Sequence, residues 1–255
     1  MELICQNCEV NLQPDFHHCP KCGQKTNLHR LTLHDVFHDA IHFFFHADKS
    51  LLTLIRELAK NGGKVAREFV EGKRKKYFPP LNFFLIVAAI YLFVQIKTDY
   101  HQEVDVVKEH PELLQMKENQ RQVMTEAYKR QQRAIHFTNQ HSNTVMMASL
   151  PIIAAIFFLF YRRFPYNYTE HLAAGMYMFG FYTLVYSALD YFAHLLDMDG
   201  TSYVIYWIGQ IIYFPIFYRR FTLGSKKRAF VASLTVSVSV FLINVIAFWI
   251  YMFLV

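Results

Sequence analysis

The sequence predicts an all-α membrane protein of about five transmembrane helices, with amphipathic juxtamembrane helices and a small metal-binding hook at its N-terminus. Three observations lead there. Of 255 residues, 53% are hydrophobic, with 25 Phe and 16 Tyr, more large apolar side chains than a soluble domain of this size needs. The apolar residues gather into long runs that end in clusters of Lys and Arg. All four cysteines stand in "CQNCEVNLQPDFHHCPKCGQK", as two Cys-x-x-Cys pairs.

Five stretches are long and apolar enough for a hydrocarbon core that takes roughly 20 helical residues: about 79–96, 144–161, 171–190, 202–218 and 229–254. The first and fourth are the shortest and carry Gln95 and Gln210. Lys73, Arg74, Lys75 and Lys76 precede the first stretch, and Arg162 and Arg163 separate the second from the third. Arg219, Arg220, Lys226, Lys227 and Arg228 separate the fourth from the fifth. The opening thirty residues are polar and lack a secretory apolar stretch, so the N-terminus is expected in the cytosol. All three basic clusters then fall on the cytosolic side, and the turn "LLDMDGTS", with Asp197 and Asp199, falls opposite. A five-pass chain with its C-terminus exoplasmic satisfies all of these together. The net charge of +6 therefore suits contact with anionic lipid headgroups, through Lys73 to Lys76 above all, and argues against a nucleic-acid partner.

Residues 97–143 form the one large exoplasmic piece, expected as a helical hairpin. Neither Pro nor Gly occurs from Glu112 to Leu150, so a helix can run from this piece straight into the second span. Met116, Val123, Ala127 and Ala134 give it a thin apolar face, open to a solvated reading or to self-association. Residues 29–78 read as amphipathic helices on the cytosolic leaflet. Leu33, Val36, Phe37, Ile41, Phe44 and Phe45 follow a helical period, and Leu51, Leu54, Ile55 and Leu58 follow it again. Gly62 and Gly63 are expected to end the second of these helices before a short third one over residues 64–71, and Pro79 and Pro80 to start the first span.

Residues 1–28 are the hook. Cys5, Cys8, Cys19 and Cys22 place four thiolates on two tight turns, the arrangement of a tetrahedral Zn2+ site, with iron or a redox pair as the other chemistries open to them. Gly23 follows the second pair and suits a positive φ; Glu9 stands at the matching place after the first, where that turn is expected to be strained. A closed four-sulfur set leaves no open coordination position and folds a segment too short to bury a core. Histidines at 34, 38, 42 and 46 recur every fourth residue, either as boundary residues of an interfacial helix or as ligands of a second metal, for which His38 and His42 are the candidates.

Glu170 and His171 stand at the cytosolic mouth of the third span, and Asp190 and His194 one turn apart near its other end. Ionisable residues at a span's edge suggest proton or substrate handling, or a cap or headgroup contact. Ser233, Ser237 and Asn244 draw a polar stripe along the last span. No nucleophile elbow, P-loop, dinucleotide fingerprint or His-Glu-x-x-His run is present.

The run "CPKCGQK", then "FHADKSLLTLIRELAKNGGKVAREFVEGKRKKYFPP", then "EH" at the head of a later membrane helix resembles an uncharacterised bacterial family, the domain of unknown function numbered 3667. The resemblance implies an N-terminal zinc-ribbon-like hook, a juxtamembrane basic element and several membrane helices. It is carried by Cys5, Cys8, Cys19, Cys22, Gly23, Gln24, Gly72, Lys73, Arg74, Tyr77, Pro79, Glu170 and His171. Glu9 and "NGGK" depart from the family's Gly and Pro-Gly at those places. It implies no reaction. The expected protein is thus multi-pass in the bacterial inner membrane, with a structural zinc ribbon that docks a protein partner or sister subunit and no catalysis of its own. A small-solute, ion or lipid transporter lined by Glu170, His171, Gln210 and the Ser/Asn stripe is the alternative. A membrane enzyme using Glu170 and His171 as acid or base at lipid headgroups is the third.

Overall fold

The computed structural model describes residues 3–43, 50–98, 106, 110–196, 198 and 201–254. Two short antiparallel strands, β1 (Leu3–Ile4) and β2 (Asn11–Leu12), pair Leu3 with Leu12 and Ile4 with Asn11. Seven helices follow among the described residues: α1 (Leu33–Phe43), α2 (Ser50–Val70), α3 (Pro80–Thr98), α4 (Glu118–Tyr161), α5 (Tyr168–Leu195), α6 (Thr201–Thr222) and α7 (Lys226–Leu254). A 3-10 turn over Pro111–Gln115 precedes α4.

Three of these are long and apolar enough to cross a membrane: α3 over Pro80–Lys97, α5 over Tyr168–Leu195 and α7 over Lys226–Phe253. They mark a membrane protein. The second expected span is the apolar end of α4, Met147–Tyr161, and the fourth is α6, which carries Gln210, Pro215 and Arg219–Arg220 and is the more polar for it. Helix α4 runs unbroken for 44 residues, about 66 Å at 1.5 Å per residue, so it extends well past any 30 Å core. The helix expected to run from residues 97–143 into the second apolar stretch is continuous over Glu118–Tyr161. Most of the expected hairpin's first arm, and Asp197 and Asp199, lie outside the described residues.

Helix α5 is the spine. Every residue from Thr169 to Gly180 is buried, because α2, α3, α4 and α6 all pack on it. Small residues allow the closest approaches: a Cβ at Gly180 would lie 2.7 Å from Phe83 of α3. Helix α7 closes the bundle against α4 and α6.

The apolar face of α2, which its sequence suits to the leaflet, is largely taken up by protein. Leu54, Leu58, Val65, Ala66, Phe69 and Val70 are buried in the same core as α5 and α6, whereas Leu52 is 75% exposed. The helix breaks at Asn61, whose backbone is extended, one residue before the expected glycine stop. Gly62 and Gly63 do more than end a helix. A Cβ at Gly63 would fall against the Phe217 carbonyl of α6 and 2.7 Å from both Arg220 Cβ and Phe221 N, all of it backbone or crowded stem. One at Gly62 would meet only side-chain atoms, of Phe217 and Tyr213, at 3.0–3.1 Å.

Gly63→Ala is therefore expected to destabilise the protein by about 1–3 kcal/mol through overpacking, and Gly62→Ala by markedly less. Thermal melting in detergent checks this; equal losses at the two positions would remove the close-approach account.

Candidate functional site

The hook is two copies of one turn, fourteen residues apart. Cys5 N–H donates to Val10 O at 2.9 Å and Glu9 N–H to Cys5 O at 2.9 Å; Cys19 N–H donates to Gln24 O at 2.8 Å and Gly23 N–H to Cys19 O at 2.8 Å. Both turns need a left-handed residue, and they have Glu9 at φ 61° and Gly23 at φ 71°. The strain expected at Glu9 is thus a real backbone conformation, costing about 1 kcal/mol that Gly23 avoids.

The turns bring the four sulfurs within 4.8 Å of one another, with Cys5 Sγ 3.7 Å from Cys22 Sγ and Cys8 Sγ 3.5 Å from Cys19 Sγ. A tetrahedron of sulfurs around a metal at 2.3 Å has edges of about 3.8 Å, so the set fits a metal ion; a disulfide would need about 2.0 Å. Among the described residues, these cysteines are the one group of three or more His, Cys, Asp or Glu close enough to share an ion. His34 and His38 stack one turn apart at 5.8 Å on α1, both exposed. The side chains of His42 and His46 lie outside the described residues.

The hook does not stand free of the helices. Gln24, 2% exposed, accepts backbone N–H bonds from Arg74 at 3.1 Å and Lys75 at 3.3 Å. Gly72, at φ 120°, sits where a Cβ would collide with Gln6 Oε1. Arg74 donates to His29 O at 2.8 Å and Lys73 lies 3.5 Å from Glu9. The basic run is thereby largely held by the protein, and Lys75 is left exposed.

Behind this loop, Glu68 of α2 is the organising charge. Lys76 Nζ reaches it at 2.7 Å, the Tyr77 hydroxyl donates at 2.5 Å, and Lys64 and Lys73 stand at 3.8 and 3.9 Å. Partial burial opposes its ionisation. The hydrogen bonds from Lys76 and Tyr77 and the charges of Lys76 and Lys73 overcome that and hold the carboxyl down at about 2.

Across the mouth, Arg30 grips Glu170 at 3.2 and 2.6 Å and donates to Pro165 O at 2.6 Å. Glu170 also completes a capping box with Asn167, so the cap role is the one its geometry serves. A second box, Thr32 with Asp35, starts α1. His171, fully buried, lies among the rings of Phe158, Tyr161, Tyr166, Tyr218 and Phe221 at 5.7–6.3 Å. Glu170 and His171 thus face different surroundings, one a salt bridge and the other an aromatic box. At the other end of α5, Gln95 Nε2 lies 3.4 Å from Asp190 Oδ2.

The three basic connections converge at the hook end. Tyr166 donates to Glu71 at 2.9 Å, Arg67 to Arg220 O at 3.1 Å and Arg220 to Lys60 O at 3.2 Å. Arg30 is the functional residue that pattern reading missed, since a lone Arg in a polar stretch has no local signal.

Fold and site together define a helical membrane protein with a four-cysteine hook, able to hold a metal ion, docked at its basic end. A family model described as "Protein of unknown function (DUF3667)" matches residues 48–92. That stretch holds Glu68, Gly72, Lys73, Arg74, Tyr77 and Pro79, the braced loop and its approach; the cysteines, Glu170 and His171 lie outside it. No curated protein and no solved structure matches the chain.

Two outcomes follow from these contacts. Glu9→Gly is expected to slow metal loss to a chelator by several-fold, worth about 1 kcal/mol, while Glu9→Ala gives no gain; faster loss from Glu9→Gly would contradict the strain. Glu68 has a folded pKa held below its usual 4.5, so the stability it adds is complete above about pH 5 and vanishes as pH falls through about 2. Glu68→Gln should cost roughly 2–3 kcal/mol at neutral pH and flatten the melting temperature between about pH 5 and 2. Melts that fall in parallel for both proteins would place the acid sensitivity elsewhere.

Proposed function

We propose that the chain is a five-pass protein of the bacterial inner membrane whose cytosolic hook holds one structural zinc ion and docks a protein partner or sister subunit onto the bundle. The observation that carries this reading is the hook's outer edge. Leu3 and Ile4, on β1, are 51% and 53% exposed, while the opposite side of the hook is anchored through Gln24 and Gln6 to residues 72–75. An apolar pair on a metal-pinned, membrane-anchored hairpin is a rigid docking edge, with little ordering cost on binding.

The remaining parts agree with it. Four thiolates close a tetrahedron and leave no position for a substrate, which suits a structural ion, and zinc is the metal that four-sulfur sites of this kind favour. The three basic connections at the hook end suit a cytosolic face, so that Lys75, Arg162, Arg163, Lys226 and Lys227, all exposed, meet anionic headgroups and the C-terminus of α7 is exoplasmic. The apolar end of α4 and helix α6 complete five crossings, α6 with its Gln210 turned inside the bundle.

The test is a photo-crosslinker placed at Ile4 of the full chain in its native membrane. A discrete protein adduct is expected, lost in Leu3→Glu and in Cys19→Ser/Cys22→Ser. Elemental analysis should give about one zinc per chain in the parent and in Leu3→Glu and none in the cysteine variant. Adducts to lipid alone, or adducts that persist without the metal, would sink the docking role.

A further inference from the structure

The hook is held together by its sulfurs. Among residues 3–28 only Cys5, Cys19 and Gln24 are buried, so no apolar core lies beneath the two turns. Gln24 is buried for another reason, because its side chain leaves the hook and ends on the loop that follows α2. Its backbone is fixed by the second turn, where Gln24 O receives Cys19 N–H at 2.8 Å.

What the side chain meets is a pair of consecutive amides. Arg74 N–H and Lys75 N–H both point at Gln24 Oε1, at 3.1 and 3.3 Å, and the Arg74 amide is shared with Gly72 O at 2.9 Å. Successive N–H groups that converge on one oxygen form a backbone nest, a concavity that receives the oxygens of anions. Lys73, Arg74, Lys75 and Lys76 follow one another through it.

The hook fills this nest with imperfect substitutes for an anion. Gln24 brings one oxygen and no charge, and its own Nε2 is buried with no hydrogen-bond partner. Arg74 Nε, a donor on the loop itself, is also buried and unpartnered. The charge comes from a second residue of the hook, Glu9, whose carboxylate lies 3.5 Å from Lys73 Nζ. A phosphate group combines in one body what Gln24 and Glu9 supply separately, several acceptor oxygens and negative charge.

We infer that residues 72–75 form an oxyanion site for a phosphate group, that of an anionic lipid headgroup or free phosphate, which the hook closes by lodging Gln24 in it and which loss of the hook's metal opens. The site stands on the loop and its two amides. Only the metal gating rests on the zinc reading above, since a hook without an apolar core keeps Gln24 in place through its sulfur cluster.

Amide exchange read by mass spectrometry, with fragmentation that resolves Arg74 and Lys75, tests both parts on the full chain in phosphatidylcholine nanodiscs. Removing zinc with a chelator should speed exchange at these two amides at least about tenfold while α5 stays protected. Phosphatidic acid in the discs should restore protection if the phosphate is a headgroup, and inorganic phosphate alone should restore it if the source is soluble; restoration by neither would overturn the site. Gln24→Ala, with its zinc retained by elemental analysis, should show the same opening and the same rescue. Gln24→Glu places a carboxylate on the two amides and should slow their exchange several-fold relative to the parent; faster exchange would mark an ordinary amide contact and overturn the oxyanion assignment. Amides that stay protected both without zinc and in Gln24→Ala would overturn the hook as the closure. A chain that binds no zinc would remove the metal gating together with the zinc reading, and the two Gln24 variants would still decide the site.

Discussion

The hook end of the molecule depends on a carboxylate that is almost wholly buried, Glu170, and on the guanidinium of Arg30 that reaches it from 140 residues away in sequence. A buried carboxylate is tolerable only when its charge is matched and its lone pairs are filled, and Glu170 achieves both through Arg30 and the N-terminal backbone of α5. The pairing ties the segment that leaves the hook to the helix at the centre of the bundle. Asn167 adds a second tie by donating to Leu31 O at 3.2 Å. A metal held by the four cysteines would thereby be tied, through the hook, to the head of α5.

Glu68 does for the other side of the hook what Glu170 does for this one. It draws Lys64, Lys73, Lys76 and Tyr77 together, and the loop so formed offers the backbone N–H groups of Arg74 and Lys75 to Gln24. The hook is therefore seated between two carboxylate-centred networks. Much of the basic charge of residues 73–76 is spent on this architecture, and the lysines and arginines of the other two connections are left more exposed.

Inside the bundle the controlling constraint is the satisfaction of polar groups away from water. Most side chains meet it locally, as Ser187 does with Thr183 O at 2.8 Å and Thr222 with Tyr218 O at 2.8 Å. Ser233, Ser237, Tyr218 and His171 do not, although all four are buried.

The sequence by itself determined whatever depends on local spacing. Two Cys-x-x-Cys pairs specify two equivalent turns, and the residue after each pair must accept a positive φ, so both the sulfur cluster and the strain at Glu9 were legible. Long apolar runs specify helices long and apolar enough to span for α3, α5 and α7, whereas in α6 polar residues dilute the signal. Only the tertiary structure decided the rest, because it depends on meetings between distant segments. Amphipathicity shows that α2 has an apolar face but not whether lipid or protein covers it, and Gly63 reads as a helix stop until α6 lies against it. The pattern Asn-x-x-Glu at 167–170 is a capping box on sight, yet that the same Glu170 also receives Arg30 follows only once the chain has brought them together.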